Sequence, residues 1–208
     1  MDGVIMYKFV KFLWSCVLIV ALFGIGILMA DKYALQNNLV RLHVVGASNS
    51  HEDQQVKLQV RDQVLAYLKP HLQAVTDAEE TKQQLQRLIP ELTAVAQQTL
   101  QAAGKDTQVQ VYLTREEFDL RRYDTFSLPA GVYDALRVDI GAAEGKNWWC
   151  VVFPSLCAPV TTDAFCDEAV EAGYDQGLAA ALSNDEGYEI RFFFLDCIGK
   201  IENFLHFS

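Results

Sequence analysis

Residues 12–30 contain no charged side chain, and they include Leu13, Val17, Leu18, Ile19, Val20, Leu22, Phe23, Ile25, Ile27 and Leu28. A helix needs roughly 20 such residues to cross the hydrocarbon of a bilayer, and this run has that length. Lys8 and Lys11 precede it, which by the positive-inside rule keeps the N-terminus cytoplasmic and sends the rest of the chain across. A buried core helix is the poorer reading, because no face of the run carries a charge. Leu28-Met29-Ala30 places a large residue where a signal peptidase site wants a small one, which favours an uncleaved or slowly cleaved signal anchor over a cleaved signal peptide. Cys16 falls too early in the apolar run for a lipid-attachment cysteine. The chain is thus expected to divide into a cytoplasmic N-terminus (residues 1–11), a transmembrane or signal segment (12–30) and one exported domain (31–208).

Half of the residues are apolar, enough for a well-cored domain rather than a disordered chain. The formal net charge is -10. That balance argues against a nucleic-acid partner, which needs a basic face to displace counterions. It also disfavours adsorption of the folded domain to an anionic membrane.

Export changes how the cysteines read. Cys16 lies in the apolar run, while Cys150, Cys157, Cys166 and Cys197 lie beyond it, and four cysteines allow three pairings. Cys150 and Cys157 are the candidates for a disulfide, since Phe153-Pro154 between them suits a bend, provided the Cα atoms come within about 7 Å. The other reading is a pair of buried free thiols acting as small hydrophobes. Their spacing matches no metal-ligand pattern, and no metal or cofactor is expected.

Residues 39–46 are rich in β-branched side chains and read as a strand. Ser50 then caps a helix by accepting from the Asp53 amide, with Val56, Val60, Val64, Tyr67 and Leu68 on its apolar face. Asp53 and Lys57 are spaced to pair on its exposed side, and Pro70 ends or kinks it. A second helix is expected from Thr76, with Glu79 completing a capping box. Its stripe is Leu85, Leu88, Ile89, Leu92, Val95, Ala96 and Leu100, with a kink at Pro90 and Gly104 as C-cap. Strands follow at 108–114, with 118–123 pairing to it, and at 132–140 and 148–153, joined as a hairpin through a loop at 141–145. Residues 163–183 read as a third helix, although Gly173 and Gly177 lower its propensity. Residues 188–195 read as an apolar central strand. The fold class is α+β: a mainly antiparallel sheet with helices packed on one face, preceded by the membrane-length helix.

Catalytic chemistry finds little purchase. A Cys150–His43 dyad with Asp139 can be drawn, but nothing in the spacing supports it. The serine-elbow, zinc-helix and phosphate-loop motifs are absent. Of the adjacent carboxylates, Glu79-Glu80 fits the first turn of a helix, and Glu116-Glu117 and Asp167-Glu168 read as solvated surface. Trp148-Trp149 is more informative. Alternation along a strand sends one ring to each face, and an outward tryptophan either packs under a helix or serves as a recognition anchor. The loop Phe126-Ser127-Leu128-Pro129-Ala130-Gly131 adds a shaped turn beside them, with Gly131 suited to a close backbone approach.

Two blocks together resemble the stage II sporulation protein R family. The first is Val40-Arg41-Leu42-His43-Val44-Val45-Gly46-Ala47-Ser48-Asn49-Ser50, continuing through Asp53-Gln54-Gln55-Val56-Lys57-Leu58-Gln59-Val60-Arg61-Asp62. The second runs from Leu128-Pro129-Ala130-Gly131 through Ala135-Leu136-Arg137-Val138 and Asn147-Trp148-Trp149-Cys150 to Cys157. The resemblance covers roughly residues 38–160. The family pattern often carries an asparagine and an aspartate where this chain has Ala47-Ser48-Asn49-Ser50, a change that leaves capping intact. The region after Cys157 matches less. The resemblance implies a protein made in the forespore, held in its membrane or secreted after cleavage, with its folded domain in the intermembrane space. There it would activate a membrane-embedded aspartic protease of the mother cell that processes pro-sigma-E. Such a ligand needs no catalytic residue, no cofactor and no small-molecule substrate, and the expected receptor contacts are Trp148, Trp149, Pro129, Gly131 and Arg137. The alternatives from other classes are an exported thiol or hydrolytic enzyme using Cys150 or Cys157, and a wall-binding module using the tryptophans.

Overall fold

All six residues of β1 (Val40–Val45) are buried. Such a strand needs partners on both edges for its backbone groups and cover on both faces for its side chains. The computed structural model describes residues 2–75, 77–154, 157, 162–183 and 189–206. Within these, β2 (Val109–Phe118), β5 (Gly131–Ile140), β1 and β6 (Asn147–Phe153) form a sheet in the order β2-β5-β1-β6. β1 is parallel to β5 and antiparallel to β6, and β2 is antiparallel to β5. The class is α+β, but the sheet is mixed.

The expected hairpin between β5 and β6 is therefore absent, because β1 lies between them. Their connection passes the end of β1, where Gly145 N donates to Gly46 O at 2.8 Å. The segment 118–123 does not pair with 108–114 either. β2 runs on to Phe118, and β3 (Arg121–Arg122) pairs with β4 (Ser127–Leu128) in a separate two-stranded ladder.

Two helices cover one face. In α2 (His51–Leu72), Ser50 Oγ accepts from Asp53 N at 3.1 Å as the sequence predicts, and Val56, Val60, Val64 and Leu68 are buried. Pro70 sits in the last turn. α3 (Ala78–Ala102) is capped one residue later than expected, by Asp77, whose carboxylate accepts from Glu80 N at 2.7 Å; Thr76 lies outside the described residues. Pro90 is exposed and remains within the helix. At the far end Gly104 N donates to Gln101 O and Lys105 N to Leu100 O, the paired bonds of a Schellman cap. Leu42, Val44, Leu136, Val138 and Cys150 meet Val60, Leu85 and Leu92 in this core.

Asp53 and Lys57 do not pair. Lys105 Nζ lies 3.0 Å from Asp53 Oδ1, and Lys57 is only 4% exposed. Lys57 Nζ donates to Gln54 Oε1 at 2.7 Å and to Lys146 O at 2.9 Å. Burial pushes its ammonium down from the ordinary lysine range, with Arg61 and Lys146 adding to the shift. Gln54 Nε2 in turn donates to Ser48 O at 2.7 Å. The polar residues that follow β1 thus tie the β1–α2 turn to the β5–β6 connection.

The other face is covered as well, contrary to the one-sided packing expected. Here lie the end of α1 (Asp2–Asn37), α4 (Thr162–Glu171), α5 (Gln176–Leu182) and α6 (Glu189–His206). Leu35, Leu39, Tyr133, Val151, Phe165, Leu178 and Leu195 form this second core. Arg41 is buried within it, its guanidinium 3.9 Å from the Phe118 ring centroid and 5.3 Å from that of Tyr133, with Nη2 donating to Tyr123 Oη at 3.0 Å. Residues 163–183 are two helices rather than one. Gly173 at φ 92° breaks the run, and Asp175 caps α5 by accepting from Leu178 N at 3.0 Å.

The largest correction concerns residues 189–195, expected as a central strand and found as the start of α6; Tyr188 lies outside the described residues. A short apolar run fits strand or helix equally, and β1 already holds the centre of the sheet. α6 is fixed by Asp196 Oδ1, which accepts from Ala130 N at 3.0 Å, and by Gly199, whose missing side chain admits the Ala130 carbonyl. α1, by contrast, leaves the other elements: it is long and apolar enough to cross a membrane, and the most apolar stretch is uncovered. Gly199→Ala should force α6 off Ala130 and destabilise the fold by about 1–3 kcal/mol, read as a shift in urea unfolding of the detergent-solubilised chain; an unchanged midpoint would show that α6 is not seated there.

Candidate recognition surface

One row of side chains crosses all four strands on the α4–α6 face of the sheet. Tyr112 on β2 is in register with Arg137 on β5, Arg137 with His43 on β1, and His43 with Trp149 on β6. Alternation places these four residues on one face. The next row toward the covering helices is Thr114, Ala135, Arg41 and Val151, of which the last three are buried. The Tyr112–Trp149 row is where the apolar cover gives way to polar side chains, with Tyr112, Arg137 and Trp149 half-buried and His43 buried.

Ion pairs join the row. Arg137 Nη1 donates to Glu116 Oε2 at 2.7 Å and Nε to Asp139 Oδ1 at 2.8 Å. His43 Nδ1 lies 2.7 Å from Glu116 Oε1, and Tyr112 Oη donates to Asp139 Oδ2 at 2.8 Å. Burial works to raise the Glu116 carboxyl, but the hydrogen bonds and charges of His43 and Arg137 outweigh it and hold the group below its ordinary 4.5. Burial likewise opposes the charge on Arg137, and the bonds to Asp139 and Glu116 prevail, raising its affinity for the proton. The Tyr112 phenol is pushed up by burial and by its bond to Asp139. At the end of the row the Arg121 guanidinium lies 3.5 Å from the Trp149 ring centroid, and the His43 ring stacks at 5.5 Å. Two carboxylates, two guanidiniums, an imidazole and two aromatic rings thus form a pre-ordered polar surface.

The residues expected to act together are distributed unevenly. Trp149 and Arg137 share this row. Trp148 points to the opposite face, partly buried against the α2–α3 core, with Arg61 4.7 Å from its ring centroid. Pro129 and Gly131 are buried, and the turn they flank is held beneath α6 through Ala130, so they lie inside the chain rather than on its surface. A disulfide joins Cys150 and Cys157, with Cα atoms 5.3 Å apart.

The Cys150–His43 dyad does not form. Cys150 is in register with Leu42, not His43, so it faces the α2–α3 core while His43 faces the other way. Asp139 is engaged by Arg137 and Tyr112 instead. Glu116, read as solvated surface, is the centre of the ion-pair network. Glu116, Tyr112 and Arg121 are the members that sequence reasoning missed. Alternation along β2 already puts Tyr112 and Glu116 on one face, but their meeting with Arg137 depends on the β2–β5 register. Among the described residues no cluster of His, Cys, Asp or Glu converges to hold a metal ion.

The sequence matches the family model described as stage II sporulation protein R over residues 36–163, which includes β1 to β6 and every member of the row. The chain belongs to this family. It is also 32% identical over 123 residues to stage II sporulation protein R of Bacillus subtilis (strain 168), covering 59% of this chain and 55% of the relative. The chain therefore matches little more than half the length of that curated relative. No solved structure matches. Helices α5 and α6 lie beyond the family match.

The network gives a pH test. A carboxylate whose folded pKa is depressed adds stability that is complete above the unfolded value and is lost as pH falls through the folded one. Glu116→Gln should therefore destabilise the domain at pH 7 by roughly 1–3 kcal/mol. The gap from wild type should close as pH falls below about 4.5, in urea unfolding at a series of pH values. A gap that is constant with pH would remove the ionised Glu116 from this account.

Proposed function

We propose that this chain is a sporulation signal: an exported ligand that switches on a membrane-embedded aspartic protease in the apposed membrane, which then processes pro-sigma-E. The family match over residues 36–163 carries this reading. α1 would hold the chain in the forespore membrane, with the rest in the intermembrane space. A ligand shifts its receptor only by binding the active state better than the inactive one, so its need is a rigid, specific surface rather than a catalytic centre.

The row ending in Trp149 suits that role. Tryptophan and arginine are the residue types most enriched among interface hot spots, and here both are locked by neighbours before any partner arrives, which lowers the entropy lost on binding. Trp149 and Arg137 are the proposed contacts, with His43, Glu116 and Arg121 holding them in place. Pro129 and Gly131 act indirectly, by seating α6. Trp148, on the far side of the sheet, is the internal comparison.

The test is reconstitution in a non-sporulating bacterium that expresses this chain, the receptor protease and pro-sigma-E, with processing followed by gel mobility. Cleavage should depend on this chain and survive Cys150→Ser. Trp149→Ala should cut processing by about tenfold or more, and Arg137→Lys should weaken it by loss of the forked geometry, while Trp148→Ala leaves it near wild type. Exported, folded chain with pro-sigma-E uncut would refute the signalling role. Equal losses from Trp148→Ala and Trp149→Ala, with unfolding midpoints unchanged, would refute the assignment of the face.

A further inference from the structure

Helix α6 has two unlike faces. Leu195 is buried in the second core, Phe192 packs against it, and Gly199 meets the Ala130 carbonyl. On the other side Phe193, Phe194, Ile201 and Leu205 are 49% to 66% exposed. At 3.6 residues per turn these four fall within one sector of about 120°, with the partly exposed Cys197 between them. An apolar stripe of this kind on the outside of a domain marks a docking surface. Lys200 lies at its edge, paired with Asp196 at 2.7 Å, and the lysine stem can lie along an apolar surface while its ammonium stays in water.

The position of α6 against α1 indicates what covers the stripe. Arg191 at the start of α6 holds Asp31 by two bonds, Nε to Oδ2 at 2.7 Å and Nη2 to Oδ1 at 2.6 Å. Glu202 near its end meets Lys32 at 3.2 Å and accepts from Gln36 Nε2 at 2.6 Å. Arg191 and Glu202 are about 16 Å apart along α6, whereas their partners Asp31, Lys32 and Gln36 span only about 7.5 Å of rise along α1. α6 therefore crosses α1 steeply instead of running beside it. The crossing point is the end of the uncharged run of α1, where the first acid and base after residue 30 occur.

We infer that α6 lies flat in the membrane–water interface at the point where α1 leaves the bilayer, with Phe193, Phe194, Ile201 and Leu205 in the outer part of the acyl layer. A helix steeply crossed on a membrane-spanning one lies in the membrane plane, and its uncovered side is the apolar one. Among the described side chains of α6, Arg191, Asp196, Lys200 and Glu202 make no basic face, so the occupant is the acyl region of neutral lipid rather than an anionic headgroup. The consequence for the sheet is orientation: with α1 and α6 both bound to one membrane, the row ending in Trp149 is held at a constant attitude toward whatever lies opposite. This inference rests on α1 crossing the bilayer.

The test uses the full chain in phosphatidylcholine vesicles, with the Cys150–Cys157 disulfide kept and the other cysteines changed to serine. A polarity-sensitive fluorophore is placed on Ile201→Cys, on Gln86→Cys as an exposed α3 control, or on native Cys16 alone. Circular dichroism checks that each variant is folded. The Ile201→Cys label should be quenched by lipids bearing a nitroxide near the glycerol end of the acyl chain and shielded from aqueous iodide, and the Gln86→Cys label should show the reverse. An Ile201→Cys label open to iodide and blind to the lipid nitroxide overturns the interfacial placement. Shielding that grows with protein-to-lipid ratio, accompanied by disulfide crosslinks between two copies of the unlabelled Ile201→Cys chain, overturns it in favour of a second copy. The Cys16 label reports the anchor independently: if deep-nitroxide lipids do not quench it, α1 does not span, and the failure is assigned there.

Discussion

The structure depends on β1 being enclosed. Its even residues, Val40, Leu42 and Val44, enter the α2–α3 core, while Arg41 and His43 enter the other face. Because β5 takes one edge in parallel and β6 the other antiparallel, the strand's hydrogen-bonding groups are consumed on both sides, as a fully buried backbone requires. The two cores are therefore not independent. A slip of one residue in β1 would send Arg41 and His43 into the apolar α2–α3 layer and turn the valines toward the ion-pair network.

The same enclosure makes the row across the sheet possible. Tyr112, Arg137, His43 and Trp149 come from four strands: the β2–β5 register brings Tyr112 to Arg137, and β1 between β5 and β6 places His43 between Arg137 and Trp149. Two carboxylates, Glu116 and Asp139, divide the Arg137 guanidinium between them, and Glu116 also engages His43. Arranged this way the charges are paired within the chain, and in the proposed role what the row would offer a partner is shape and the partly exposed faces of Trp149 and Arg137. By contrast, the polar residues after β1 are used up in tying Ser48, Gln54 and Lys57 to the loop carrying Gly145 and Lys146. Their part is architectural.

α6 shows how one helix can serve two surroundings. Asp196 and Gly199 seat one side against Ala130, and the opposite side remains apolar and uncovered. The Leu128-Pro129-Ala130-Gly131 turn is thereby an internal socket. In the proposed role the row ending in Trp149 and the outer face of α6 divide the labour, one toward a partner and one toward lipid.

Local chemistry determined a good deal from sequence alone. The uncharged run of residues 12–30 has a length that water-soluble packing does not require. Ser50 caps α2 through one hydrogen bond, and Val56, Val60, Val64 and Leu68 recur at helical spacing. The seven-residue separation of Cys150 and Cys157 allows their approach, and alternation splits Trp148 from Trp149. Each of these depends on neighbours within a few residues. The order of the strands, the burial of Lys57 and the pairing of Glu116 with Arg137 were decided by tertiary structure, because register between strands is set by bonds across long separations. Residues 189–195 show the boundary most clearly. An apolar run says that water is avoided, but whether the answer is a sheet interior or a helix lying on another surface depends on where β1 already sits.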